Sequence, residues 1–356
     1  ELMEGVEDIP GTALYEGIEW GKWESFPEYM DYIGGREYAI DVAAQIPHGA
    51  VRYYVMGERG RQNKDATAED IEAMAAIVGE AVAAGAVGFS TSRTIGHRSL
   101  WGTEVPGTFA PEAELTAIAG AMGRLGKGVF EMIPAGTVGK LEHMGGERTT
   151  PQQEHEMMRN ISISSGRPVT FTLIQSPDYE PDLWRQTLVM AKQANDNGAQ
   201  LYPQVPSRLI GYLTGLSSYH PFMRKPTYLD RLAKLPLGER VKAMRDPAVK
   251  AALLSEKEIK HEAPGSMENI SALLGRGAAI LYPLHDPVDY EAGVEETIGS
   301  LAKAEGREPL EYLYDWMLED GGKRFCSLSA ANLPKGRMRD ALLLRFPDPL
   351  IVADWL

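Results

Sequence analysis

The chain has 356 residues, 44% of them hydrophobic, with a formal net charge of −14, and that length calls for two modest domains or one large layered one. The acidic balance excludes a nucleic-acid partner, because no Lys/Arg excess is present to neutralise phosphates. No apolar run approaches the roughly 18 residues that span a bilayer, the opening ELMEGVEDIP is acidic where a signal peptide is basic and then apolar, and a cytoplasmic protein without a membrane partner is expected. The single cysteine, Cys326, excludes an internal disulfide and a cysteine-based zinc knot. It reads as a small buried residue in a strand. Both ends read as cut, since no Met begins the chain and the apolar DPLIVADWL ends it.

Taken in order, the run from Tyr38 to Gly57 (YAIDVAAQIPHGAVRYYVMG) is read as a first strand. Thr67 with Asp70 forms a capping box before a helix whose Ile71, Met74, Ala75, Val78 and Val82 share one face. One phrase then recurs: helix, Gly, a couple of residues, and a β-rich run, in AAGAVGFSTS, RLGKGVFEMIP, SSGRPVTFTLIQ and NDNGAQLYPQVP. Gly ends each helix because the C′ position takes positive φ, and the residues after it suit a buried strand. Thr150 caps a helix with Pro151 at its first position, and Pro181 opens the next. Strands starting near Val87, Val129, Val169 and Gln200 are spaced as βα units, which predicts a parallel sheet. After Pro206 an extended loop and short helices follow, an insertion at about 207–275, and GAAILYP and KRFCSLSA are the late strand candidates.

Parallel strands with helical crossovers close into a barrel or stay open as a doubly wound sheet. Neither Gly-x-Gly-x-x-Gly nor a Walker-type Gly-Lys-Ser/Thr follows a strand, so the fold class expected is α/β, a (β/α)8 TIM-type barrel over residues 1–356. Strand ends then carry the chemistry, which selects His48, Ser90 to His97, Glu131, Gln175 and Gln204. Arg93 and His97, with Ser92, are placed to bind a substrate carboxylate, and Arg208 adds charge near Gln204. Gln175 and Gln204 can orient a substrate but cannot activate water. Glu131, a carboxylate at a strand end, either pairs, binds a metal or works as an acid/base. His48 beside Pro and Gly reads as a turn residue, and His155 as a surface residue of a helix whose Met residues are core. With no His-x-His, His-Glu-x-x-His or Gly-x-Ser-x-Gly, the sequence encodes neither a complete zinc site nor a serine-hydrolase elbow, and no residue receives a catalytic role.

The stretches WESFPEYMDYI (Trp23 to Ile33), AQIPHGAVRYYVMGERG, GAVGFSTSRT with HRS and VPGTFAPEAEL, and LYPQVPSR together resemble the D-aminoacylase-like branch of the amidohydrolase superfamily, the N-acyl-D-amino-acid deacylases. The resemblance implies a (β/α)8 barrel with a small β domain, a divalent metal, usually zinc, and hydrolysis of the amide C–N bond of a small N-acylated amino acid. It also implies a His-x-His in the first strand, a metal-site cysteine in the second and a catalytic Asp in the eighth. None of these is in this chain, which in that register lacks the first two strands and the end of the last. FEMIP and TLIQS stand where the family places metal-binding histidines, leaving Glu131 as the substitute oxygen ligand. Three readings follow: a metal-dependent amide hydrolase, a barrel that binds a small carboxylate without hydrolysing it, and an inactive fragment. A homo-oligomer is expected, because open sheet edges need cover.

Overall fold

The structure is a computed structural model that describes residues 6, 9, 11–137, 139–142, 145–174, 182–205, 210–264, 266–289 and 292–331. The chain divides into two compact units, Glu1–Ile174 with Asp182–Val205, and Gln175–Pro181 with Pro206–Leu356. The expected insertion at about 207–275 falls in the second unit.

In the first unit, helices α1 (Gly11–Gly17) and α2 (Phe26–Gly34) precede strand β1 (Gln45–Pro47). Then come α3 (His48–Met56), α4 (Glu58–Arg61), α5 (Ala68–Ala83), β2 (Gly88–Ser92), α6 (Glu112–Leu125), β3 (Val129–Ile133), α7 (Pro151–Ser165), β4 (Val169–Thr172), α8 (Leu183–Asp196) and β5 (Leu201–Gln204). The sheet is parallel and its strand order is sequential, β1-β2-β3-β4-β5. A doubly wound sheet reverses direction at a switch point, and no reversal occurs here. Successive helices pack in series, α5 on α6, α6 on α7 and α7 on α8.

The caps explain the helix starts. Ser25, Thr67 and Thr150 each close a capping box, with Glu28, Asp70 and Gln153. Gly126 and Gly166 end α6 and α7 in the left-handed region, both at φ 64, as the sequence predicts. Strand residues alternate. Phe89, Thr91, Phe130, Met132, Val169, Phe171 and Leu201 are buried, and each buried Phe contributes about 1.5–3 kcal/mol. Ser90, Ser92, Glu131, Ile133, Thr170 and Thr172 lie on the other, half-exposed face.

Three readings need correction. The run Tyr38 to Gly57 yields a strand of three residues only, because Pro47 caps a helix whose buried His48, Val51, Arg52 and Met56 follow helical spacing. His48 is therefore no turn residue but the first residue of α3. His155 is not on the surface: it is 6% exposed, packed edge-on to Phe171 with ring centroids 6.4 Å apart. The methionines beside it, Met157 and Met158, are core.

The second unit contains β6 (Ile210–Gly215), the short helices α9 (Pro226–Arg231), α10 (Leu237–Met244), α11 (Pro247–Ser255) and α12 (Met267–Arg276), then β7 (Tyr282–Pro283), α13 (Ile298–Ala304), α14 (Pro309–Leu318) and β8 (Phe325–Ala331). KRFCSLSA forms β8, whereas GAAILYP turns through a 3-10 helix at Ala278–Ile280 and is a strand only at Tyr282–Pro283; the strands pair antiparallel in the order β6-β8-β7. A core of Leu216, Phe222, Met244, Leu253, Ile298, Tyr314, Met317 and Cys326 lies beneath them. Burial pushes the Cys326 thiol above its ordinary pKa. Among the described residues no helix is long and apolar enough to cross a membrane.

Candidate active site

The half-exposed face of the parallel sheet carries a row of polar residues fixed by strand register. Ser90 is opposite Glu131, Glu131 opposite Thr170, and Thr170 opposite Tyr202. Neighbouring strands lie about 4.8 Å apart, so these four residues cross the sheet in about 15 Å. The half-buried Glu131 carboxylate has no hydrogen-bond partner among the described residues. The Thr170 hydroxyl is shielded from solvent and also has no partner, an arrangement that costs about 1–3 kcal/mol until water or a ligand reaches it.

Towards the C-terminal strand ends stands Ser92, whose Oγ lies 2.9 Å from His97 Nδ1. The strand register brings Gln204 opposite Thr172, with the glutamine exposed. Ser92, with His97 in the loop after it, Glu131 and Gln204 thus belong to one sheet, on β2, β3 and β5. Gln175 and Arg208 lie outside the described residues.

Arg93 follows Ser92 but enters the interior, 7% exposed against 1% for Glu154. Its Nε donates to both Glu154 oxygens, at 2.8 and 3.1 Å, and its Nη1 donates to Ala110 O at 2.6 Å. Its charge is thereby matched within the protein. The loop after it is held by its own polar groups. Thr94 donates to Glu147 at 2.7 Å, Arg98 Nε to Ile95 O at 2.8 Å, and Ser99 Oγ and Thr103 Oγ1 are 2.7 Å apart. Farther along, Asn63, itself at φ 51, donates to Glu104 O and Val105 O and accepts from Gly107 N.

Beneath the loop, on the helix side of the sheet, lies a buried relay whose connectivity sequence reasoning missed. His48 Nδ1 is 2.9 Å from Thr91 Oγ1, and its Nε2 is 2.9 Å from Glu114, which Arg52 also contacts. Burial pushes the His48 pKa down. A neutral ring with its hydrogen on Nε2 satisfies both contacts, donating to Glu114 and accepting from Thr91. Burial raises the Glu114 carboxyl, but hydrogen bonds from His48 and Arg52 outweigh it and hold the pKa below its ordinary value. Gly107 (φ 97) sits against the ring, where a Cβ would come 2.5 Å from His48 Nδ1. The available signal was helical spacing, which places His48 and Arg52 on one turn of α3.

The donors do not make a metal site. Among the described residues no three His, Cys, Asp or Glu side chains are grouped to hold an ion, so Glu131 can offer a single carboxylate. What these residues can do is bind a polar substrate through hydroxyl, imidazole and amide groups, and move a proton at Glu131 or His97.

The sequence pattern of the amidohydrolase family matches residues 15–322. No curated protein matches the chain. Among solved structures, it is similar to an N-acyl-D-glutamate deacylase from Bordetella bronchiseptica complexed with zinc and a phosphonate inhibitor, with 16% identity over 91% of this chain and 52% of that one, at TM-score 0.43. It is also similar to a D-aminoacylase with a binuclear metal centre (17% identity, 84% of this chain and 60% of that one, TM-score 0.40) and to a second D-aminoacylase structure (16%, 92% and 68%, TM-score 0.41). The chain spans about half the length of the first of these.

Proposed function

Because the chain belongs to the amidohydrolase family, whose pattern spans residues 15–322, we propose that it is part of a metal-dependent hydrolase that cleaves the amide C–N bond of a small N-acylated amino acid. In this reading it falls in the D-aminoacylase-like branch, as the segments around Trp23 to Ile33 and Gly88 to Ser99 resemble. The five parallel strands are then part of an incomplete (β/α)8 barrel, supported by their sequential order. The observation that carries the proposal is the polar row on one sheet face, in which Glu131 lies opposite Ser90 and Ser92, two residues on, meets His97.

In that site Ser92 and His97 hold the substrate carboxylate by hydrogen bonds, and Gln204 orients the amide, with Gln175 and Arg208 as further contacts. Arg93, paired with Glu154, fixes the loop that carries His97. Glu131 accepts or returns a proton beside the scissile bond. The described residues do not fit a divalent ion by themselves, so the zinc of this reading would draw its ligands from outside them. The same reading makes the protein a cytoplasmic homo-oligomer with a small-molecule substrate.

The test is amine release by the complete protein from N-acetyl-D- and N-acetyl-L-amino acids, with zinc added or removed by chelator. Turnover of D-substrates is expected, with His97→Ala raising KM by about tenfold, the loss of one charge-assisted hydrogen bond. Zinc-loaded protein that releases no amine from any substrate would refute the proposal. The absence of an ion-holding group among the described residues favours a second reading, binding of a small carboxylate without hydrolysis. Saturable calorimetric binding of the same compounds without amine release would select it.

A further inference from the structure

The second unit contains a cavity of about 360 Å³, lined by residues that include Ser217, Ser218, Arg224, Tyr228, Arg240 and Glu268. That volume lies in the range of small-molecule sites. The charges on its walls do not cancel. Arg224 is paired with Glu268 at 2.8 Å, whereas Arg240 has no carboxylate partner among the described residues. Arg240 gives Nη1 to Leu216 O at 2.8 Å and Nη2 to Leu235 O at 3.1 Å, both neutral acceptors, and its Nε is buried with no acceptor among the described residues. The half-buried guanidinium also lies over Tyr228, 5.7 Å from the ring centroid, so its neighbours among the described residues are neutral groups and its charge has no counterion there.

Tyr228 adds a second donor. The backbone N–H of Phe222 donates to His220 Nδ1 at 3.2 Å, so the neutral ring carries its hydrogen on Nε2, 2.9 Å from the Tyr228 hydroxyl oxygen. Burial, with Arg240 nearby, lowers the His220 pKa to about 3 and keeps this ring neutral. His220 therefore donates to Tyr228, and the Tyr228 hydroxyl hydrogen is left to donate elsewhere. Ser217 and Ser218 add hydroxyls at the exposed rim. Leu229, Leu237 and Met223 supply apolar walls.

We propose that this cavity binds a small ligand bearing an oxyanion, a carboxylate or a phosphate, held by Arg240, Tyr228 and the two serines, with an apolar body against Leu229 and Leu237. All of its lining residues belong to the second unit. Its formation needs no metal.

Equilibrium dialysis of the full chain against inorganic phosphate, acetate and benzoate, at ionic strength balanced with chloride, tests it. One saturable site per chain is expected for phosphate or for the carboxylates, and benzoate should bind several-fold tighter than acetate if the ligand is a carboxylate. Ser218→Asp places a negative charge at an exposed rim position and should weaken binding at least tenfold, and Arg240→Gln should abolish it. If Arg240→Gln does not fold, Ser218→Asp decides, because the Ser218 side chain is exposed. Phosphate binding alone names a phosphorylated ligand, and carboxylate binding alone a carboxylate. Non-saturable uptake of all three, or equal binding by the parent and Ser218→Asp, overturns the proposal.

Discussion

Replacing Arg93 by Ala should cost the first unit about 3 kcal/mol of stability. Arg93 and Glu154 are both buried, with Nε 2.8 Å from a carboxylate oxygen. Removing one member of such a pair costs about 3–5 kcal/mol, because the other charge stays in the interior without its counterion. Glu154 would keep the Thr149 hydroxyl at 2.7 Å and the Ala135 N–H at 3.3 Å, which places the loss at the lower end. A unit of about 200 residues loses about 2–4 °C per kcal/mol, so the transition should fall by roughly 6–12 °C in scanning calorimetry. The joint change Arg93→Met with Glu154→Leu should recover most of that loss, since no orphaned charge remains. A stability change below about 0.5 kcal/mol for Arg93→Ala would refute this account and return Arg93 to the substrate-facing role expected from its place after the strand.

Three further outcomes follow from buried groups. Gly107→Ala should destabilise by about 1–3 kcal/mol in urea unfolding, because φ 97 is strained for a side chain and the new Cβ meets the His48 ring. An unchanged midpoint would mean that the loop does not rest on His48. His220 is protonated near pH 6.5 in the unfolded chain but only at about 3 in the folded one; between these values the unfolded state binds the extra proton, so stability falls with falling pH by up to about 1.4 kcal/mol per unit. His48 and His155 are lowered in the same direction, and His220→Gln should flatten the slope, a result checked by urea midpoints from pH 7 to 4. Cys326, buried in β8, should resist a thiol reagent in the native protein and react at once in denaturant; rapid native labelling would contradict its placement.

The parallel sheet was legible because its signals are local: a capping residue, a helical stripe, a Gly and a β-rich run occur within one βα unit, as from Thr150 to Thr172. The antiparallel sheet was not, since Tyr212 pairs with Leu328, more than a hundred residues away, and alternation within a strand does not name its partner. The same limit hid the Arg93–Glu154 and His48–Glu114 contacts, formed across 61 and 66 positions. An arginine after a strand has the same local sequence whether it turns to the substrate or to a buried carboxylate. His155 was misread because two polar neighbours, Glu154 and Glu156, made its turn look solvated, although Glu154 is itself buried.

Asn63 lies about forty residues before the loop segment it grips, yet it makes three hydrogen bonds to the backbone of residues 104–107. The entropy of that loop is therefore controlled from outside it. A substitution at Asn63 would loosen residues 104–107 from a distance, so the order of this end of the loop is set by a side chain that the loop itself does not contain.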